Sequence, residues 1–203
     1  MLQVSNLSVA RGGKLLLHDV SFSVESGQAL VLRGANGIGK TSLMRCIAGL
    51  QTPTCGKILA PETVAYAAHS DGLKGQLSVL ENLKFWADIY GGPRPDIALA
   101  SYCLEDLAQQ PAGNLSAGQK RRLGLARMLV TGCRLWVLDE PTVSLDMQNV
   151  ALFCKVLKAH LRSGGAAVFA THIDLQLSAE SLDLSGFVAS VNMLPSVFEE
   201  ALE

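Results

Sequence analysis

Gly34-Ala35-Asn36-Gly37-Ile38-Gly39-Lys40-Thr41 reads G-x-x-x-x-G-K-T, the spacing of a loop that cradles phosphates. Ala29-Leu30-Val31-Leu32 runs apolar into it, and Ser42-Leu43-Met44-Arg45-Cys46-Ile47-Ala48 leaves it with helical spacing before Gly49. That is the strand–loop–helix setting the spacing requires. Gly34, Gly37 and Gly39 let the backbone curl so that successive N–H groups face inward and no side chain blocks an approaching phosphate. The helix that begins near Lys40 adds the positive end of its dipole. Lys40 supplies a cation for β- and γ-phosphates, and the Thr41 hydroxyl is a hard oxygen ligand for Mg²⁺. Ala35, Asn36, Ile38 and Ser42 complete the expected phosphate-binding stretch.

Leu135-Trp136-Val137-Leu138 runs apolar into Asp139-Glu140-Pro141-Thr142. Four apolar residues followed by two carboxylates describe a buried strand that delivers acids to its end. Beside a bound phosphate chain, Asp139 is expected on the Mg²⁺ side and Glu140 as the base or water-positioning group. Ala166-Ala167-Val168-Phe169-Ala170 is a second buried strand, and it brings Thr171-His172 to the same edge, so His172 is expected at the γ-phosphate. Val64-Ala65-Tyr66-Ala67 places His69 at a third strand's carboxyl end, where ligands of open α/β sheets gather.

The chain outside these strands is organised by caps and breaks. Val20, Phe22 and Val24 alternate with Ser21 and Ser23, as in a half-buried strand, and residues 2–33 read as an antiparallel preamble interrupted by Arg11-Gly12-Gly13. Residues 73–114 look helical. Ser78-Val79-Leu80-Glu81 is a capping box, Val79, Leu83, Trp86 and Tyr90 share one helix face, and Gly91-Gly92-Pro93 stops the helix. Asp96 is expected to cap a second helix through about Ala108. Ser116 and Gln119 form another capping box. In isolation that pattern means only a cap, but Ser116, Gly118 and free N–H groups at a helix start also make a second phosphate site. Asp146 is expected to cap a helix whose face is Val150, Cys154, Leu157 and Leu161. A last short strand is expected around Leu182–Leu184, before an acidic, weakly patterned tail.

Composition bounds the function. The 203 residues suit one compact domain, and 49% apolar residues with 5% aromatics suit an aliphatic α/β interior. A net charge of -1 argues against a nucleic-acid binder with a broad basic face. Cys46, Cys55, Cys103, Cys133 and Cys154 form no C-x-x-C pair, so neither a zinc site nor covalent haem attachment is indicated; most read as small core residues. No signal peptide or apolar run of membrane-spanning length is found. A cytoplasmic protein, associated with a membrane through a partner, is therefore expected.

In this order, the Gly34–Thr41 loop, Leu115-Ser116-Ala117-Gly118-Gln119, Leu138-Asp139-Glu140-Pro141, Ser144-Leu145-Asp146 and Thr171-His172 resemble the nucleotide-binding subunits of ATP-binding cassette transporters, over roughly residues 2–185. Leu32-Arg33 through Met44-Arg45, His69 near Gly72-Leu73-Lys74, and Leu80-Glu81-Asn82-Leu83-Lys84-Phe85-Trp86 are more narrowly similar to the ATP-binding subunits of the haem exporters of cytochrome c maturation. The resemblance implies an α/β fold: a P-loop NTPase (RecA-like) core with an antiparallel β subdomain and an inserted α-helical subdomain. The core would comprise about 1–72 and 127–203, and the helical subdomain about 73–126.

The same resemblance implies an ATPase that uses ATP and Mg²⁺ at the cytoplasmic side of the bacterial inner membrane. It implies a head-to-tail homodimer docked on integral membrane permease subunits of cytochrome c maturation, with no direct haem contact. Each nucleotide would take Lys40, Thr41, Asp139, Glu140 and His172 from one copy. Ser116 to Gly118, capped through Gln119, would come from the other copy, with Asp146 nearby. Arg11 stands near where the family usually stacks an aromatic ring on adenine, and a guanidinium can also stack. His69 follows the strand at which many members place a glutamine, and it can bond a water or a phosphate oxygen. An exporter of another substrate, or a soluble nucleotide-gated assembly module, remains compatible with the residues alone.

Overall fold

The computed structural model describes residues 1–171, 173, 175 and 177–189. Strands β1 (Leu2–Arg11) and β2 (Lys14–Val24) form an antiparallel hairpin. Its two turn residues, Gly12 and Gly13, have φ of 57° and 76°, the left-handed pair that a tight hairpin turn demands. Strand β4 (Cys55–Leu59) pairs antiparallel with the other edge of β1, which gives a three-stranded sheet ordered β2-β1-β4. The second sheet is parallel, ordered β5-β6-β7-β3-β8. Its members are β3 (Ala29–Arg33), β5 (Val64–Ala67), β6 (Leu135–Asp139), β7 (Ala166–Ala170) and β8 (Glu180–Asp183). The expected α/β architecture is therefore present.

Both faces of the parallel sheet are covered, so β6 and β7 are buried at every position and read as unbroken apolar runs. Side chains still alternate. Leu30, Leu32, Leu135, Val137, Val168 and Ala170 point into one core shared with α1 (Lys40–Ile47) and the antiparallel sheet. Ala29, Val31, Trp136, Leu138, Ala167 and Phe169 point into another, shared with α2 (Val79–Tyr90), α3 (Asp96–Ser101), α4 (Ala117–Val130) and α5 (Met147–Arg162). Thus α1 is sandwiched between two sheets and α4 and α5 cover the opposite face. No helix among the described residues is long and apolar enough to cross a membrane.

The capping boxes at Ser78/Glu81 and Ser116/Gln119 form with both reciprocal bonds, and Gly91 closes α2 in the left-handed conformation. Asp146 caps α5 by accepting the Asn149 N–H at 2.8 Å. Three expectations are corrected. Helix α3 ends at Ser101 instead of about Ala108, and it is Asp96's predecessor Pro95 that precedes its first turn, without a side-chain cap. Tyr102 and Leu104 are both buried. In a continuous helix two such neighbours would point about 200° apart, so the chain breaks at Cys103, whose φ is 50°. Arg122 Nη1 holds that break by donating to the carbonyls of Tyr102 at 2.8 Å and Cys103 at 3.2 Å. Most cysteines are small core residues as expected: Cys46 and Cys133 are buried and Cys154 packs against the core, whereas Cys55 and Cys103 are exposed. The last strand is β8, and Leu184 already begins a short 3₁₀ turn. The tail beyond residue 189 lies outside the described residues.

Helix α5 is latched to the sheet by His160. Its ring stacks on Trp136 at 3.8 Å between centroids, and Nε2 sits 3.1 Å from the Arg134 carbonyl and 3.3 Å from that of Ala166. Two carbonyl partners assign the proton of the neutral ring to Nε2. Burial holds this imidazole below its ordinary 6.5, with the carbonyl bonds pulling the other way. The unfolded chain therefore binds the proton more readily, and stability contributed here is lost as pH falls through 6.5 toward the folded value. Urea midpoints are expected to drop between pH 7.5 and pH 5.5, and His160→Gln should flatten that dependence; an unchanged slope in the variant would assign the pH effect elsewhere.

Candidate functional site

The carboxyl ends of β3, β5 and β6 open into a cleft of about 460 Å³. It is lined by Asn36, Gly37, Gly39, Lys40, Thr41 and Ser42 on one side and by His69, Asp139 and Glu140 on the other, with Arg11 and Leu16 of the hairpin at its rim. Gly34, Gly37 and Gly39 have φ of 137°, 79° and 121°, a backbone that side-chain-bearing residues rarely adopt. This curl turns the loop around Lys40, whose Nζ donates to the carbonyls of Gly34 at 2.7 Å and Ala35 at 3.0 Å. An ammonium has three donors, so Lys40 can reach a phosphate oxygen without releasing both carbonyls. Gly39 caps α1 with no side-chain bond, which leaves the first-turn N–H groups facing the cleft. The Ile38 side chain instead packs on the hydrophobic core beneath the loop.

Opposite, the Thr41 hydroxyl donates to Asp139 Oδ2 at 2.8 Å. A hydroxyl and a carboxylate held together are the hard oxygen donors that suit Mg²⁺, so the residues present fit that ion. Tyr66 completes this corner. Burial pushes its phenol up to about 12, the nearby Asp139 charge adding to the effect. It thus stays a neutral donor. Glu140 is half-buried and has φ of 51°, a costly conformation for a residue with a Cβ and one found at functional sites. Its N–H donates to the Ala170 carbonyl at 3.1 Å, which continues the β6–β7 ladder one residue past Asp139.

The remaining expected residues divide. Arg11 and His69, distant in sequence from the loop, both line the cleft. Ser116, Gly118, Gln119 and Asp146 do not: Ser116 is an exposed N-cap, and a Cβ on Gly118 would lie 3.4 Å from the Ser144 carbonyl. His172 lies outside the described residues; its neighbour Thr171 bonds Thr142 at 3.1 Å and accepts Arg33 Nη1 at 2.7 Å through its carbonyl.

Arg121 escaped the sequence reading. It is 4% exposed and its guanidinium lies directly behind Asp139 and Glu140. The available signal was an arginine whose neighbours three and four residues away on α4, Ala117, Gly118, Gly124 and Leu125, carry no polar side chain, and such a cation is buried only with partners. Tyr66 had no signal beyond its place in a short apolar strand.

A model of the ABC transporter family matches residues 17–143. The cytochrome c biogenesis ATP-binding export protein CcmA of Paracoccus denitrificans is 58% identical over 206 residues, covering 99% of this chain and 98% of that protein. Its counterpart in Cereibacter sphaeroides is 60% identical over 190 residues, covering 93% of this chain and 90% of the relative. Among solved structures, CbiO1 from Clostridium perfringens, part of the ABC transporter complex CbiONQ, superposes with a TM-score of 0.72 at 26% identity, over 85% of this chain and 78% of that one.

Proposed function

This chain belongs to the ABC transporter family, and we propose that it is the ATP-hydrolysing subunit of a membrane complex serving cytochrome c biogenesis, with haem as the cargo exported or released from its chaperone. The observation that carries the enzymatic part is the convergence of Lys40, Thr41, Asp139 and Glu140 on one cleft. The pathway rests on the likeness to the two proteins named for it.

ATP would lie with its β- and γ-phosphates against the Gly34–Thr41 backbone and Lys40, its adenine toward Arg11. Thr41 and Asp139 would hold Mg²⁺, which neutralises phosphate charge when bound. Glu140 would take the proton of the attacking water, with His69 and His172 close to the transferred phosphate. Ser116 and Gly118 do not line their own cleft, as expected if they complete the site of a second copy; Gln119 caps that helix start, with Asp146 nearby. Two copies would then bury two nucleotides, closing on ATP and opening after hydrolysis. The helical segment of about residues 73–126 would dock the permease. Trp86 and Tyr90 support this, because with Leu50 and Tyr66 they wall a groove of about 360 Å³, beside exposed Ile89.

Affinity purification of the tagged chain from detergent-solubilised membranes of its own organism tests the assignment. Recovery with cytochrome c maturation membrane proteins and a haem-absorbing chaperone is expected. Recovery with an unrelated permease would retain the ATPase and discard haem, and a protein without any membrane partner would overturn the transporter reading.

A further inference from the structure

We propose that Arg121 is the positioning residue that sets Glu140 over the nucleotide and makes it move together with the His69 loop; this rests on reading Glu140 as the base. Its side chain reaches across two loops at once. On the acid side, Nη2 donates to the Glu140 carbonyl at 2.6 Å and the Asp139 carbonyl at 3.4 Å, and Nε donates to the Pro141 carbonyl at 3.1 Å. On the histidine side, Nη1 donates to the carbonyls of Ala68 at 3.0 Å and His69 at 3.4 Å, and pairs with Asp71 Oδ1 at 2.9 Å. Only the planar fork of a guanidinium offers donors in all these directions; an ammonium on a flexible stem cannot span both loops.

The acid-side bonds surround the residue with the strained backbone. Glu140 keeps its φ of 51° only because its surroundings over-determine it, and the short bond from Nη2 grips its carbonyl. The histidine side is fitted to the same helix. A Cβ on Gly124 would come within 2.8 Å of Asp71 Oδ1, so the glycine clears the space that Asp71 occupies beside Arg121. One turn further on the same face, Arg127 Nη2 donates to the Tyr66 carbonyl at 3.3 Å, with its guanidinium 4.5 Å over the Trp86 ring. Helix α4 is thereby fastened to residues 66–71 and to 139–141, and Ser116 caps that helix little more than a turn before Arg121. A displacement of the Ser116 end is carried to the carboxylate and to His69 through one buried cation.

The test uses the full chain, with single-turnover ATP hydrolysis and the ATP-induced rise in melting temperature. Arg121→Gln is expected to lower kcat by about 10²-fold, the scale of a misplaced reacting group, while KM and the ATP-induced rise stay near wild type. Arg121→Lys should lose nearly as much. In a Glu140→Gln background, Arg121→Gln should cost less than about threefold, because residues that act as one unit are non-additive. Equal fold losses in both backgrounds would mean a purely structural role and overturn the proposal. Should Arg121→Gln fail to fold, Asp71→Asn carries the test: it preserves shape and every carbonyl bond, and a drop in the wild-type background that vanishes beside Glu140→Gln is expected. An equal drop in both overturns the proposal. Wild-type turnover in Glu140→Gln alone would instead remove the base assignment on which the proposal rests.

Discussion

Glu140→Gln is expected to bind ATP as tightly as the wild type and to lose turnover by about 10²–10⁴-fold, the range for removing a positioned general base. The substitution keeps the side chain's size and the backbone bonds at Glu140, including the N–H to Ala170 and the carbonyl to Arg121. The phosphate contacts from the Gly34–Thr41 loop and the Thr41–Asp139 pair are untouched. What disappears is the capacity to accept a proton from water at the cleft wall. Phosphate release and nucleotide binding, measured side by side, separate the two functions. If hydrolysis opens a nucleotide-bridged dimer, the variant should also accumulate as a dimer in ATP, visible by sedimentation. Retained turnover would mean that another group activates the water.

Lys40→Ala is expected to act differently, on binding and turnover together. A ligand that binds only the folded state stabilises it by about 2.7 kcal/mol at a hundredfold excess over Kd, so ATP should raise the wild-type melting temperature by several degrees. The variant should show almost none of that rise, with turnover below detection. Lys40 is only half-buried, and its partners are the Gly34 and Ala35 carbonyls, which water can serve in its absence. Melting without nucleotide should therefore change little. Lys40→Arg should not rescue, because a fork is not a compact point charge in a loop shaped around one. A normal ATP-induced rise in Lys40→Ala would place the phosphates elsewhere.

Much of this site was legible because its determinants are local. The phosphate loop is eight consecutive residues whose glycines, spacing and flanking apolar run need no distant contact to be read. The same holds for the capping boxes at Ser78 and Ser116 and for the apolar runs ending at Asp139 and Ala170. Asp139 and Glu140 were readable as a strand end because two charges after four apolar residues have few other homes. Helix α3 was misjudged for the opposite reason: its length was decided by burying both Tyr102 and Leu104 against distant helices, which a continuous helix cannot do.

By itself, then, the sequence determined the α/β pattern, the phosphate loop, the two acids and the caps, since periodicity and i,i+3 bonds are properties of neighbouring residues. Only the tertiary structure decided which residues meet across the chain. Strand order brings His69 and the hairpin's Arg11 to the loop's rim, Tyr66 to Asp139, and Arg121 to acceptors eighteen to fifty-three residues away. The physical reason is that a buried cation takes its partners from whatever backbone the packed sheet presents, and sequence spacing carries no record of that.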